Sequence, residues 1–143
     1  MEYSKIMKVT PKELFDAFEL SIIEDIHQAT NKKVHKIQTG TQYSKKGKHD
    51  TIHVKVESFV PGKEYKANIS NSKEIVKMAY VVEDLNDGTC NVTYTEDYFD
   101  IKNEENKKGR ISSFRFKQAA LKQFKTIEKY ILSHRVDKEE QNK

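Results

Sequence analysis

Five histidines, one cysteine and a carboxylate set among tyrosines are the side chains whose chemistry could matter in this sequence. The histidines are His27, His35, His49, His53 and His134, and a metal would need at least two of them at ligand spacing on one element. His49 and His53 straddle an expected turn and the strand after it, and no HxH or HExxH arrangement occurs. We therefore expect no metal and no cofactor. Cys90 has neither a CxxC partner nor an adjacent histidine, so it reads as a small core hydrophobe rather than a nucleophile. Motifs of the GxSxG, P-loop and GxGxxG kinds are absent, which leaves hydrolase and nucleotide chemistry without support. Glu96 differs from these. Strand phase turns it to the same side as Val92 and Tyr94, a carboxylate near the end of an apolar wall. There it could orient a ligand or handle a proton with a raised pKa. The competing reading is a twist or bulge that leaves Glu96 near a mouth or beside a lysine.

Charge gives a second candidate chemistry. Lys45, Lys46 and Lys48 cluster at an expected hairpin tip, and Lys122, Lys125 and Lys129 form a stripe on the last helix. A nucleic acid would need such charges on one surface with exposed aromatics for stacking. No aromatic interleaves the stripe and Glu128 sits beside it, so we read a solvated helix face and expect no nucleic-acid partner. The 22 acids interspersed among 26 bases, for a net charge of +4, fit the same reading.

The elements that position these groups follow from length and pattern. A chain of 143 residues fits one domain, expected over residues 1–134, with a polar, frayed tail at residues 135–143. Seven Tyr and seven Phe with no Trp mean that rings must fill much of the core. A lone cysteine suits a reducing compartment. The start Met1-Glu2-Tyr3-Ser4-Lys5 lacks a signal-like apolar stretch, and no apolar run approaches about 18 residues. We expect a cytoplasmic protein without membrane insertion.

Residues 2–9 read as a strand stopped by Thr10-Pro11, where Thr10, Pro11 and Glu13 make a capping box at a helix start. Leu14, Phe15, Phe18, Ile22, Ile23 and Ile26 recur at helical spacing, and we expect two short helices with a bend near Leu20-Ser21. From Lys33 the period becomes two: Ile37, Thr39, Thr41 and Tyr43, then Ile52, Val54 and Val56, then Tyr65, Ala67 and Ile69. Val76, Met78, Tyr80 and Val82, and finally Cys90, Val92 and Tyr94, continue the pattern. Turns at Gly47, Pro61-Gly62, Asn71-Ser72 and Asn86-Asp87-Gly88 separate these runs, describing an antiparallel meander. After a polar stretch at residues 102–109, a helix from about Arg110 to His134 carries Phe116, Ala119, Ala120, Phe124, Ile127, Tyr130 and Ile131 on one face. The expected class is α+β: a curved antiparallel sheet of about six to seven strands wrapped around one long C-terminal helix, with a short helical pair after the first strand. Ile111, Phe114 and Leu121 lie off the main apolar face, against a loop or in a homodimer patch.

Several segments carry a family resemblance across residues 1–133. They are Val9-Thr10-Pro11-Lys12-Glu13-Leu14-Phe15-Asp16-Ala17, Val60-Pro61-Gly62-Lys63-Glu64-Tyr65, Tyr80-Val81-Val82-Glu83-Asp84-Leu85-Asn86-Asp87-Gly88-Thr89 and Val92-Thr93-Tyr94-Thr95-Glu96. On these the chain resembles the START/SRPBCC superfamily of helix-grip folds, and within it a small bacterial branch known as a domain of unknown function. The tryptophan-bearing segment that many members place after the first helix is missing. The resemblance implies a cavity between the concave sheet face and the long helix, where hydrophobic ligands commonly sit. By alternation its lining would be Ile37, Val54, Tyr65, Ala67, Met78, Tyr80, Tyr94, Phe116, Ala120 and Phe124, with Glu96 on the same side. Buried Tyr65, Tyr80 and Tyr94 would need hydrogen bonds, and such polar tips can orient a ligand. The expected function is non-enzymatic binding of a small hydrophobic or amphipathic molecule. A protein-interaction module with a filled core is the alternative, and an enzyme using Glu96 as acid or base is a further one.

Overall fold

The computed structural model describes residues 1–101 and 113–141. In chain order the elements are β1 (Glu2–Met7), α1 (Pro11–Thr30), β2 (Gln42–Lys46), β3 (Thr51–Val60), β4 (Glu64–Ser70), β5 (Glu74–Asp84), β6 (Cys90–Asp100) and α2 (Ser113–Gln141). The strands form one sheet in the order β1-β6-β5-β4-β3-β2, with every neighbouring pair antiparallel. As expected of a strand cut off from the meander by a helix, β1 adds to the sheet edge, with Glu2 opposite Thr95 and Met7 opposite Cys90.

The helix start is built as its sequence dictates. Glu13 N–H donates to Thr10 Oγ1 at 3.1 Å, and Thr10 N–H donates to Glu13 Oε1 at 3.0 Å, with Pro11 in the first turn. The expected bend is absent. Residues 11–30 form one continuous helix, so the helical pair is corrected to a single α1. Leu20-Ser21 contains neither glycine nor proline and loses no backbone hydrogen bond, so nothing there stops propagation. The stop comes at Asn31, whose φ of 60° puts it in the left-handed region that ends helices.

Two further differences shape the concave face. The strand expected from Lys33 is confined to Gln42–Lys46. Upstream, Gly40 has φ +94°, and Thr41 N–H and Oγ1 both donate to the Gln38 carbonyl, at 3.1 and 2.7 Å, so the chain turns there although Gly40 N–H and the Thr41 carbonyl still bond across to Val56 of β3. In β3 the register slips between Val56 and Ser58: Val56 faces Ala67, whereas Ser58 faces Lys66. Glu57 is the extra residue of a bulge, and it turns Phe59 inward beside Tyr65.

Helix α2 lays Phe116, Ala120, Phe124 and Ile131 onto the sheet, where Phe124 meets the ring of Tyr3 edge-on at 5.4 Å. Ala119 and Tyr130, expected on that face, are exposed instead. The helix continues past residue 134, and Arg135, placed in the tail by the sequence, is an ordered member of α2. The polar stretch at 102–109, the start near Arg110, Ile111 and the Phe114 side chain lie outside the described residues.

Candidate functional site

Helix α1 buries Leu14, Phe15, Phe18, Ile22 and Ile26, whereas α2 buries a face centred on Phe124. The two helices therefore meet the sheet along different strips and touch each other at one end. There Arg135 forms a two-pronged ion pair with Glu13, the carboxylate that also closes the α1 capping box. Beyond this clamp the helices leave a half-open cleft of about 510 Å³.

Its walls are Ala17, Leu20, Ser21 and Glu24 from α1, and Gln123, Thr126, Ile127 and Tyr130 from α2. Its floor is Phe18 with Tyr65, Met78 and Tyr80 of the sheet. Leu20 is 56% exposed and Tyr130 43%, so the mouth is apolar where a sealed core would hide such groups. A smaller hollow between Glu13, Leu20, Tyr130 and Arg135 adjoins the cleft through shared residues.

The floor carries two phenols. Tyr65 stands directly opposite Tyr80, with ring centroids 6.0 Å apart and planes within 9° of parallel. The Gln123 amide donates to the Tyr80 oxygen. Burial, with a contribution from Asp25, pushes the Tyr65 hydroxyl up to about 12. Burial, helped by Tyr65 and Glu96, also pushes Tyr80 upward. Both hydroxyls keep their protons at neutral pH.

Of the residues expected from alternation, Tyr65, Met78 and Tyr80 line this cleft. The others fill space. Ile37 is buried, its N–H bonded to Glu19 Oε2 of α1 at 3.0 Å. Val54 and Ala67 are buried on the sheet. Tyr94, Phe116, Ala120 and Phe124 form packed core under α2, where Tyr94 stacks on Phe116 at 6.0 Å and meets Tyr80 at 4.6 Å. The opening thus lies over the sheet between α2 and α1, beside the part of α2 that packs Phe116, Ala120 and Phe124 into the core.

Glu96 is half-buried on β6 opposite Met78, where the register is regular, and among the described residues no lysine pairs with it. Tyr94 and Tyr98, two residues away on either side, each donate a hydroxyl to one of its carboxylate oxygens. Both phenols are pushed far upward, by burial first and by this bond second. With both oxygens taken and no place in the cleft lining, Glu96 is not set up as a base for a cleft ligand. A separate cluster joins Asp25 of α1 to Tyr43 (2.5 Å) and Lys45 (3.0 Å) of β2 and ties the helix to the sheet edge. Among the described residues no three His, Cys, Asp or Glu side chains group as metal ligands. No described helix is long and apolar enough to cross a membrane.

The cleft walls escaped sequence reasoning. Leu20 is the available signal: a large apolar residue next to Ser21, off the stripe that runs through Phe18, Ile22 and Ile26.

With this geometry in hand, comparison with known proteins is informative about fold and family. A family model described as "Domain of unknown function (DUF3284)" matches residues 1–116. No curated protein matches the chain. Among solved structures, DynU16, a protein of the dynemicin biosynthetic locus, superposes with TM-score 0.61 at 12% identity. The match covers 94% of this chain and 47% of DynU16, so the chain spans about half that protein's length. Ara h 8.0201 matches with TM-score 0.58 and 19% identity over 93% of this chain and 97% of its own. PFC0360w, an HSP90 activator from Plasmodium falciparum, gives 0.54 and 12% over 93% and 95%. Identities this low speak to the fold alone, an antiparallel sheet gripping a long C-terminal helix, as the sequence led us to expect.

Proposed function

The chain belongs to the family described as a domain of unknown function, DUF3284, and from that premise we propose that it binds a small hydrophobic or amphipathic molecule without transforming it. The binding place is the cleft between α1, α2 and the floor of Tyr65, Met78 and Tyr80. One observation carries this reading: an apolar, half-open space of about 510 Å³ remains where the helices diverge. Ligand sites typically occupy about 300–1,000 Å³, are mostly apolar and hold a few polar groups. Here those groups are Ser21, Gln123, Thr126 and the two phenols. Glu96, bonded to Tyr94 and Tyr98 and away from the cleft lining, supplies no catalytic group to a molecule held there. A single cysteine is compatible with a reducing compartment, and a cytoplasmic location is part of this proposal.

The cleft-filling substitution Ser21→Trp tests this reading. Ser21 is exposed on the cleft wall, so an indole there occupies the ligand's space without disturbing the core. A naphthalene-sulfonate dye should brighten with the native chain and not with the variant, while both melt at the same temperature. Equal brightening would place dye binding elsewhere.

A protein-interaction role is the second reading, favoured by Leu20 and Tyr130 exposed together at the mouth above a core filled with rings. It predicts that Leu20→Ser abolishes capture of a protein partner, whereas Ser21→Trp leaves dye binding unchanged.

A further inference from the structure

The cleft floor holds hydrogen-bonding capacity that the protein does not use. Tyr65 and Tyr80 face each other across β4 and β5 with parallel rings, so both side chains extend the same way and line the cleft. Tyr80 accepts a hydrogen bond from Gln123, which leaves its own O–H proton unspent, although the residue is only 4% exposed. Tyr65 makes no hydrogen bond to any described residue, although it is more than half-buried. Turning the Gln123 amide over would exchange donor and acceptor within its pair with Tyr80, and a free N–H would then face the cleft instead. In either arrangement a donor stands in the half-open cleft, where the acceptor of a bound molecule can take the place of water.

Charge narrows what can satisfy it. No lysine, arginine or histidine lines this cleft among the described residues, and its one charged side chain is Glu24 on the α1 wall. Asp25 and Glu96 add negative potential at Tyr65 and Tyr80 respectively. A carboxylate or phosphate placed on the floor would lose its hydration against negative surroundings with no cation in return. An uncharged oxygen loses less hydration and can accept from a floor hydroxyl.

Building on the binding reading above, we propose that the cleft selects neutral apolar molecules that carry a hydrogen-bond-accepting oxygen, held by the hydroxyls of Tyr65 and Tyr80. A ketone, ester or aryl ether fits this description; a hydrocarbon of the same shape lacks the acceptor, and an acid carries the wrong charge.

Three naphthalenes of similar shape separate the possibilities by titration calorimetry at neutral pH: 2-acetylnaphthalene, 2-ethylnaphthalene and the 2-naphthoate anion. The ketone should bind about tenfold more tightly than the hydrocarbon, the yield of one hydrogen bond in a desolvated site, and the anion most weakly. The double substitution Tyr65→Phe with Tyr80→Phe keeps both rings, so it should retain hydrocarbon affinity and erase the ketone's advantage. A native protein that binds ketone and hydrocarbon equally, or naphthoate most tightly, overturns the selectivity while leaving the binding role intact. If none of the three binds, the binding role fails and the selectivity with it.

Discussion

Arg135 in the last helix grips Glu13 in the first, with Nε 2.5 Å from Oε2, across 122 residues of sequence. The same carboxylate takes the Thr10 N–H at 3.0 Å, so one side chain caps α1 and ties it to α2. That double duty fixes the end of the cleft and has a pH signature. The Arg135 guanidinium, as hydrogen-bond donor, holds the Glu13 carboxyl down to about 2 against an ordinary 4.5. A carboxyl lowered in the folded state contributes stability that is complete above its unfolded value and lost as pH falls through the folded value. The window therefore runs from about 4.5 down to about 2. Both side chains are partly solvated, which screens the pair and limits the effect to about 1 kcal/mol. Glu13→Gln keeps a capping amide but cannot form the ion pair. Urea midpoints of native and variant proteins should converge across that window, and curves that stay parallel through it would remove the clamp from the account.

The end of α1 gives a backbone prediction. Asn31 sits at φ 60°, which glycine adopts freely and alanine does not. Asn31→Ala should lower stability by about 1 kcal/mol, whereas Asn31→Gly should be neutral or slightly stabilising. Equal losses in chemical denaturation would mean that the Asn31 side chain, and not its conformation, is what matters.

Core and cleft should separate by mutation. Phe124 is 1% exposed among the rings of Tyr3, Tyr80 and Tyr94, so Phe124→Ala should cost about 3–5 kcal/mol. Leu20 is 56% exposed, and Leu20→Ser should stay within about 0.5 kcal/mol of native while weakening dye binding severalfold. A large destabilisation by Leu20→Ser would show that the cleft is closed in solution.

Cys90 is fully buried, and burial, seconded by the carboxylates of Asp84, Glu128 and Glu13, pushes its thiol up to about 11. It should therefore resist an aromatic disulfide reagent at pH 8 in the folded protein and react within seconds once unfolded. Fast reaction of the native protein would contradict the packing of β6 against β1.

Most of the fold was legible because it rests on local periodicity. The capping box at Thr10-Pro11-Lys12-Glu13, the alternation through Met78 and Tyr80, and the turn at Asn86-Asp87-Gly88 each carry their own signal. The bulge at Glu57 was masked, because Phe59 and Val60 are both apolar and the phase of Ile52, Val54 and Val56 runs on to Val60, whereas the extra residue buries Phe59 instead. The lining was read in part for a similar reason. Alternation reports which side of a strand faces inward, and Tyr65, Met78 and Tyr80 do lie on the side that lines the cleft. It does not report whether the space above is filled. Tyr94, Phe116 and Phe124 fill it for one another, and the space left open over the sheet is bounded by α2 and α1, whose relative placement depends on contacts as distant in sequence as Glu13 and Arg135.

Amide chemical-shift mapping during titration with 2-acetylnaphthalene tests the binding site most directly. We predict saturable shifts at Leu20, Ser21, Tyr80, Gln123 and Thr126, on the two walls and the floor of the cleft, with Lys125 and Lys129 on the outer face of α2 unmoved. Shifts confined to that outer face, or none at saturating ligand, would contradict it.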